Sequence, residues 1–395
     1  MKANPGGPVT GDGIIGRSSE LAQLWSKLEK RSVVLSAERR VGKTSLLRKM
    51  ADEPKRGWTP LLVFVESARH PIDCVEAMYT RASEAQMRSS KGVWMKRISK
   101  AYETLGSGQI AGWKLPQVQS DWRRLMRLLV EDIVEHSDTG AIVMIDEFPL
   151  MIWNIADDHG AALAMQFLDA LREVRQEFES TNRIRFVLSG SIGFHLVLQH
   201  LKLDHGYKGA PTNDMYLFVL TGMDTEDTEL MCRQYLDQEG IRRQTPETVA
   251  ARMYYRTDGL PLYIQYVCEA LQDSKASQVV PEDIDRILDG MLADRQVTWF
   301  RDAAQRIEGY YAKFGFDRTA SVILNRLSRE EDYFAEAAIV STVQTGDPQA
   351  TPAGVQRVVE LLTDDNYLLR DTSSGERKYR FRYRLMRQWW KINRA

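Results

Sequence analysis

The chain has few cysteines and no long hydrophobic run. Its three cysteines, Cys74, Cys232 and Cys268, are odd in number and far apart, which argues against a disulfide framework and a cysteine-based zinc site. No apolar stretch approaches the roughly 20 residues that span a bilayer, and the N-terminal residues MKANPGGPVTGDG lack the apolar segment of a signal peptide. These absences predict a cytoplasmic protein with free thiols and no membrane partner.

The composition shows neither disorder nor a large overall charge. Of its 395 residues, 43% are hydrophobic and 27% are charged, with a net charge of −1, as in soluble globular proteins. Domains of roughly 100–200 residues would make two or three here. Basic charge is concentrated in residues 366–395, where nine Lys and Arg face two Asp and Glu. This basic segment either binds phosphates or is an ordinary solvent-exposed face.

Short apolar segments alternate with helical patterns through the first half of the chain. This alternation predicts a parallel sheet covered by helices on both faces, as in α/β NTPases. The predicted strands are Ser32–Ser36, Thr59–Glu66, Ala141–Asp146, Ile184–Ser189 and Leu217–Leu220, and the predicted helices are Ser18–Lys30, Pro71–Leu105, Val118–His136, Ala161–Glu179 and Gly193–Leu203.

Helical patterns dominate after an acidic segment, Asp224–Glu229, until about residue 330. The end of the chain then predicts a winged helix, with three helices and a hairpin. Its helices are Thr319–Leu327, Glu331–Val340 and Pro352–Leu362, and its hairpin strands are Tyr367–Arg370 and Arg377–Tyr383. We therefore predict an α/β domain (1–223), an all-α region (224–315) and a winged-helix domain (316–395).

One segment has the pattern of a phosphate-binding loop. Val33–Thr44 reads VVLSAERRVGKT, an apolar strand leading into a loop that ends in Gly-Lys-Thr at a helix start. Backbone N–H groups and the helix dipole attract phosphate oxygens there. Lys43 is expected on the β- and γ-phosphates, and Thr44 on Mg²⁺. Ala37 replaces the usual first glycine, which an ordinary backbone conformation tolerates; a chance Gly-Lys-Thr is the alternative.

A second apolar strand ends in two carboxylates. Ile142–Glu147 reads IVMIDE, and open α/β sheets bind ligands at the carboxyl ends of their strands. We expect Asp146 to orient Mg²⁺ and its waters, and Glu147 to polarise the attacking water. The alternative is a plain acidic turn, which the preceding loop motif disfavours. The predicted fold class of the first domain is accordingly a P-loop NTPase.

These segments resemble the AAA+/STAND ATPases of the archaeal-type ATPase family. IIGRSSEL (Ile14–Leu21) is similar to the family's Gly-Arg-x-x-Glu-Leu motif, and ERRVGKTSLL to its phosphate loop, with Glu38 where the family favours proline. FVLSGS (Phe186–Ser191) resembles its sensor strand, and TDGLPLY (Thr257–Tyr263) its Gly-x-Pro element. The resemblance covers most of the chain and implies that ATP and Mg²⁺ are its ligands.

The resemblance completes the expected site. The catalytic set is Lys43, Asp146, Glu147 and Ser189, the metal ligands are Thr44 and Asp146, and the nucleotide contacts are Ile15, Gly16, Arg17, Arg40, Val41, Gly42, Lys43, Thr44, Ser45, Gly259 and Pro261. Two alternatives stay open. Ser189 or Ser191 would instead cap the next helix, and Gly259 and Pro261 would form only a helix corner.

Two groups of arginines are further candidates. AAA+ enzymes often complete a neighbour's site with an arginine, and Arg39, Arg40, Arg183 and Arg185 are each weak candidates for that role. Near the end of the chain, Tyr379, Phe381 and Tyr383 alternate with Arg380, Arg382 and Arg384, so a strand would turn aromatics inward and guanidinium groups outward. That face would bind DNA, protect a sheet edge, or dock on acidic helices of the same chain.

The first functional hypothesis is an ATP-hydrolysing switch of the STAND type that couples nucleotide state to a protein or DNA partner through the winged helix. Nucleotide-dependent homo-oligomerisation is a further expectation. The second hypothesis is a DNA-binding ATPase in replication, transposition or anti-phage defence, and the third is a nucleotide-binding scaffold with little turnover. Since a winged helix serves both DNA and protein contacts, the partner is not readable from fold.

Overall fold

A computed structural model describes residues 2–7, 13–85, 121–190, 193–294 and 299–394. The chain divides into two compact units. The α/β unit comprises Ser18–Ser36 and Lys43–Val219, and the C-terminal unit comprises Met1–Arg17, Ala37–Gly42 and Leu220–Ala395. The boundaries predicted at residues 223 and 315 stay a prediction.

A five-stranded parallel sheet forms the centre of the α/β unit. Its strands, in the order β2-β3-β4-β1-β5, are β1 (Val33–Ser36), β2 (Trp58–Phe64), β3 (Gly140–Asp146), β4 (Ile184–Ser189) and β5 (Tyr216–Val219). Every pairing is parallel. The two central strands β3 and β4 are almost entirely buried, as expected when helices cover both faces. The predicted parallel-sheet class is confirmed.

Helices cover this sheet. In the described part they are α1 (Ser18–Leu28), α2 (Lys43–Asp52), α3 (Pro71–Glu84), α4 (Trp122–His136), α5 (Phe148–His159), α6 (Ala161–Glu179) and α7 (Phe194–His205). The prediction of Ala161–Glu179 is correct at both ends. Residues 86–120, which include the rest of the predicted helix Pro71–Leu105, lie outside the described part.

Helix α5 was not among the predicted elements. Its sequence FPLMIWNIADDH is apolar over two turns, and seven of its residues are buried. A continuous apolar run carries no helical period, so pattern alone does not separate a buried helix from a buried strand. Phe148 at its start packs against Phe167 of α6 and Phe194 of α7, with ring centroids 6.2 and 5.7 Å away. The helix therefore occupies the core directly after the strand that ends in Asp146.

The C-terminal unit begins with a helical region. Its helices are α8 (Thr225–Tyr235), α9 (Pro246–Thr257), α10 (Pro261–Asp273), α11 (Pro281–Ala293) and α12 (Trp299–Arg306), and a two-stranded parallel pair joins β6 (Arg242–Arg243) to β7 (Gln278–Val279). The acidic segment starts α8 as predicted, because the Asp224 carboxylate accepts from the backbone N–H of Asp227 at 2.8 Å. A π-helical turn, Ile307–Tyr311, follows α12 directly.

The last part of the chain has the elements of the predicted winged helix. They are α13 (Asp317–Ser328), β8 (Phe334–Ala335), α14 (Glu336–Gly346), α15 (Pro352–Asp364), β9 (Leu368–Asp371), β10 (Lys378–Phe381) and α16 (Arg384–Asn393). The predicted helix Glu331–Val340 was wrong at its start. Phe334 and Ala335 instead pair antiparallel with β10, so the helix begins at Glu336.

The three cysteines lie in the interior. Cys74, Cys232 and Cys268 are free and buried, and burial raises the pKa of the Cys74 and Cys232 thiols to about 12. They are therefore neutral packing groups.

Among the described residues, no helix has the length and apolarity needed to cross a bilayer.

Two glycines allow a close backbone approach in the C-terminal unit. Gly259 has φ +68°, and a Cβ there would lie 2.0 Å from the carbonyl oxygen of Met223. A Cβ on Gly222 would lie 1.9 Å from the carbonyl oxygen of Asp258. The approach lets the Met223 N–H donate to the Gly259 carbonyl at 2.7 Å. These backbones pair only because neither position carries a side chain.

We expect Gly259→Ala to lower the free energy of unfolding by about 2 kcal/mol or more, through strained backbone and a collision with immobile main chain. Gly290→Ala is the matched control, because Gly290 lies inside α11 with open space around it. That change should stabilise by up to about 1 kcal/mol through helix propensity. Chemical denaturation measures the free energy of unfolding of both variants. Equal changes in Gly259→Ala and Gly290→Ala would contradict the close backbone approach at Gly259.

Candidate functional site

In the α/β unit, the predicted metal ligands lie together. The Thr44 hydroxyl donates to the Asp146 carboxylate at 2.7 Å, although 102 positions separate them. Thr44 lies in the first turn of α2, and Asp146 ends β3 with 2% of its surface exposed. A hydroxyl and a carboxylate oxygen are suitable ligands for Mg²⁺, which takes its remaining ligands from phosphate and water.

The N-terminus of α2 is suited to an anion. The helix starts at Lys43 and has no acidic residue in its first turn, so no side-chain charge there offsets the positive end of its dipole. Leu46, Leu47 and Met50 are buried and hold the helix against the unit's interior. Lys43 is itself buried. Ser45 follows Thr44 in the same turn.

Glu147 has a left-handed backbone, with φ 61° and ψ 28°, at the N-cap position of α5. Its N–H donates to the other Asp146 oxygen at 3.2 Å. A non-glycine residue with positive φ is uncommon, and such strain is concentrated at functional positions. Gly190, after β4, supports the turn, because a Cβ there would lie 2.5 Å from Pro149. Sequence reasoning missed Gly190, although its place in FVLSGS was a signal.

Ser189 ends β4, in register with Leu35 of β1. It is 1% exposed, and its hydroxyl has no hydrogen-bond partner among the described residues. Buried hydroxyls are normally paired, and an orphaned one calls for an explanation such as a ligand. Ser189 does not cap the next helix, because α7 has Gly193 at its N-cap and no side-chain cap. Ser191 lies outside the described residues.

In the C-terminal unit, the loop segment Ala37–Gly42 is held by side chains. Ala37 does not have a positive φ, so replacing the usual glycine costs no backbone strain there. Gly42 has φ +99°, and no described atom lies within 4 Å of the place a Cβ would take. The Val41 carbonyl accepts from the Arg17 guanidinium at 2.9 Å. Arg40 has a left-handed backbone, with φ 65°.

The predicted Gly-Arg motif is anchored to α8. Gly16 and Arg17 both have positive φ, and the Arg17 N–H donates to the Asp227 carboxylate at 2.7 Å. A Cβ on Gly16 would lie 2.5 Å from Asp227, so only glycine fits there. Ile15 beside them is buried. Asp227 was not predicted as a site residue; its signal was the acidic first turn of α8.

The Gly-x-Pro element starts α10, with Leu260 at the N-cap and Pro261 in the first turn. Leu260 and Tyr263 line a cavity together with Arg39 and Arg40 of the loop segment. The predicted element and the loop thus share a cavity within one unit. The segment also forms the corner between α9 and α10, as the alternative of a plain helix corner requires.

Asp258, just before that element, pairs with Arg384 of α16. Its carboxylate accepts from the Arg384 backbone N–H at 2.6 Å and lies 2.5 Å from the guanidinium. Burial raises the pKa of Asp258, and Arg384 opposes that rise. The C-terminal helix is thereby tied to the turn before α10.

The aromatic side chains of the alternating row point inward as predicted, and Tyr379, Phe381 and Tyr383 are buried. The arginines, however, make contacts within the chain. Arg380 lies 5.0 Å above the Tyr333 ring, and burial lowers the pKa of Arg382. In the basic C-terminal stretch, Arg377, Lys378, Arg384, Arg387 and Arg394 each pair with a carboxylate. The interpretation of docking on the same chain is favoured.

Arg183 and Arg185 lie at the starting end of β4, away from the end that carries Ser189. The Arg183 guanidinium donates to the Ser137 carbonyl. Arg185 is 2% exposed and donates to the Ile184 carbonyl and the Asn182 side chain at 2.8 and 2.7 Å. Both side chains hold the start of the strand, and the role of either as a finger stays a prediction.

No protein-family model matches the sequence, and no curated protein does. Solved structures do match. A Walker-type ATPase of Pyrococcus abyssi superposes with a TM-score of 0.59 at 16% identity, over 98% of this chain and 99% of that one. The chain has the fold of a Walker-type ATPase. Identity this low shows the fold alone.

Other matches are more distant. Cdc6p of Pyrobaculum aerophilum has a TM-score of 0.43 at 13% identity, over 98% of this chain and 100% of that one. The RuvB Holliday junction branch migration motor of Thermotoga maritima has a TM-score of 0.39 at 12% identity, over 94% of each chain. The parallel-sheet α/β fold of a Walker-type ATPase is confirmed as predicted, while the AAA+ class and the winged helix stay predictions.

We expect Ser189→Ala to leave the stability of the ligand-free protein unchanged or to raise it by about 1 kcal/mol, because it removes a buried hydroxyl that has no partner among the described residues. If this hydroxyl meets the terminal phosphate, the variant should lose part of the ATP-induced rise in Tm and keep the ADP-induced rise. Thermal unfolding with each nucleotide measures this.

Ser328→Ala is the control, because Ser328 is equally buried and its hydroxyl donates to the Asn325 carbonyl at 2.8 Å. It should lower the free energy of unfolding by about 1 kcal/mol and keep both nucleotide effects. If Ser189→Ala lowers the free energy of unfolding as much as Ser328→Ala does, the prediction for Ser189 is wrong.

Proposed function

We propose that the protein binds ATP with Mg²⁺, hydrolyses it, and uses its nucleotide state as a switch of the STAND type. The observation that carries this proposal is the Thr44–Asp146 hydrogen bond at the carboxyl edge of the parallel sheet, 2.7 Å long. A helix N-terminus at Lys43 accompanies it, as does the Ser189 hydroxyl, which lacks a hydrogen-bond partner in the part of the chain that the structure describes. The three features together support a binding site for a phosphate and a divalent cation more strongly than any one of them does alone.

Each residue has a defined task in this proposal. Thr44 and Asp146 would hold Mg²⁺, which supplies charge neutralisation on the phosphates when bound. Lys43 binds and orients the β- and γ-phosphates. Glu147 accepts a proton from the attacking water, and its left-handed backbone directs the start of α5. Ser189 donates its hydroxyl hydrogen to the terminal phosphate, a contact that ADP would not provide.

The switch function rests on contacts in the C-terminal unit. Arg17 joins the Val41 carbonyl to Asp227 of α8, and Asp258 joins the turn before α10 to Arg384 of α16. A loop change caused by nucleotide would therefore act on α8 through Arg17, and a shift of the turn before α10 would act on α16 through Arg384. The proposed location is the cytoplasm, and the proposed partner is a protein or DNA. DNA binding stays the second prediction, and the intrachain pairing of the C-terminal basic residues does not favour it.

We expect wild-type protein to release phosphate from ATP only with Mg²⁺ present. Glu147→Gln should lower kcat by about 100-fold or more while keeping nucleotide affinity, because it removes the base. Lys43→Ala should abolish measurable binding, because it removes the phosphate cation. Lys49→Ala is the control, since Lys49 lies in the last turn of the same helix. Phosphate release and fluorescent-ADP binding measure both properties.

The outcomes separate the hypotheses. Phosphate release that is equal in wild type, Glu147→Gln and Lys43→Ala would refute hydrolysis at this site. Tight ATP binding without release would establish the scaffold instead. Stimulation by duplex DNA would favour the DNA-binding ATPase, and sizing the protein with and without ATP tests nucleotide-driven assembly.

A further inference from the structure

Glu38 is a buried carboxylate in a loop whose next two residues are exposed. It is 5% exposed, at the position where the resembling family favours proline. A buried carboxylate is costly unless a cation and hydrogen bonds compensate for lost water. Arg306, the last residue of α12, donates to it at 2.5 Å. Both residues belong to the C-terminal unit.

Arg306 is in turn embedded among residues of the winged-helix elements. Its guanidinium lies 5.6 Å above the ring of Tyr367, whose hydroxyl donates to the Ala303 carbonyl at 2.8 Å. Tyr311, in the π-helical turn, donates to the Asp365 carboxylate at 3.1 Å. Burial works against the charge on Arg306, but Tyr367, Glu38 and Asp365 outweigh it and raise its pKa. Arg306 is therefore a fixed cation beside the turn between α15 and β9.

The loop beside Glu38 has a conformation that needs outside support. Arg40 has φ 65°, which costs about 1–3 kcal/mol and persists only where neighbours determine it. Its guanidinium lies 3.4 Å from the Asp302 carboxylate and 5.7 Å from the Trp299 ring, both in α12. Helix α12 thus holds the loop at Glu38 and Arg40. A loop already held in its binding conformation loses less entropy when a ligand binds.

We propose that Glu38 is a positioning residue, through which α12 and the winged-helix elements set the affinity of the phosphate loop for a nucleoside di- or triphosphate. This inference rests on the proposed nucleotide binding and adds the group that controls it. Coupling between two sites is reciprocal, so a bound nucleotide stabilises α12 as much as α12 strengthens nucleotide binding.

The test uses the full chain and fluorescent ADP. We expect Glu38→Gln, which keeps the shape and removes the charge, to raise the Kd for ADP and the KM for ATP by about fivefold or more. The kcat should change by less than about twofold, since Glu38 touches no reacting atom. Glu38→Gln combined with Arg306→Met should bind no more weakly than Glu38→Gln alone, because the interaction is already lost.

Glu336→Gln is the matched control. Glu336 is another buried carboxylate of the C-terminal unit, paired with Arg377 at 3.2 Å and accepting from Tyr379 at 2.9 Å. Its substitution should lower Tm and leave the Kd for ADP unchanged. Equal weakening by both changes, or a Glu38→Gln Kd within about twofold of wild type, overturns the inference.

Hydrogen exchange on the wild type tests the inference without any variant. ADP should slow exchange in residues 299–306, and unchanged exchange there in ADP-saturated protein overturns it even where Glu38→Gln does not fold. A wild type that binds no ADP would refute the proposed function instead, so the two failures are distinguishable.

Discussion

The candidate site depends on one constraint, which is that parallel strands carry their carboxyl ends to the same edge of a sheet. Asp146 ends β3 and Ser189 ends β4, the strand between β3 and β1. The chain leaves β1 at this edge and re-enters the α/β unit at Lys43. Because α2 starts there, Thr44 reaches Asp146 across 102 positions. The strand order therefore turns distant motifs into one cluster of polar groups.

Backbone strain marks the same motifs independently of side-chain chemistry. Of the seven non-glycine residues with positive φ in the described part of the chain, four lie at these motifs: Arg17, Arg40, Glu147 and Asp258. Arg17 lies in the Gly-Arg motif and Arg40 in the phosphate-binding loop. Glu147 directly follows Asp146, and Asp258 directly precedes the Gly-x-Pro element. Each conformation costs free energy that neighbouring contacts must supply. For Arg17 the contact is Asp227, and for Asp258 it is Arg384.

Local pattern predicted what is local and missed what depends on distant partners. The strand ends at Asp146 and Ser189, the helix after Gly42 and the inward-facing aromatics of β10 follow from period and chain direction. Helix α5 was missed because its run is apolar all round, and β8 because two residues pair with a strand far along the chain. The Glu38–Arg306 contact joins positions 268 apart, and no local pattern encodes such a partner.

The basic C-terminal stretch shows why net charge alone does not identify a partner. Five of its cations pair with carboxylates, four of which lie outside that stretch: Asp258, Glu308, Glu331 and Glu336. The carboxylates of Glu308 and Glu331 are exposed, so their pairs add little stability, but they reduce the local positive potential that would attract a polyanion. Asp258 is different, because it is largely buried and receives both the backbone N–H and the guanidinium of Arg384. Part of the excess charge of this stretch is thereby used within the unit, where Arg384 fixes α16 against the turn that precedes the Gly-x-Pro element.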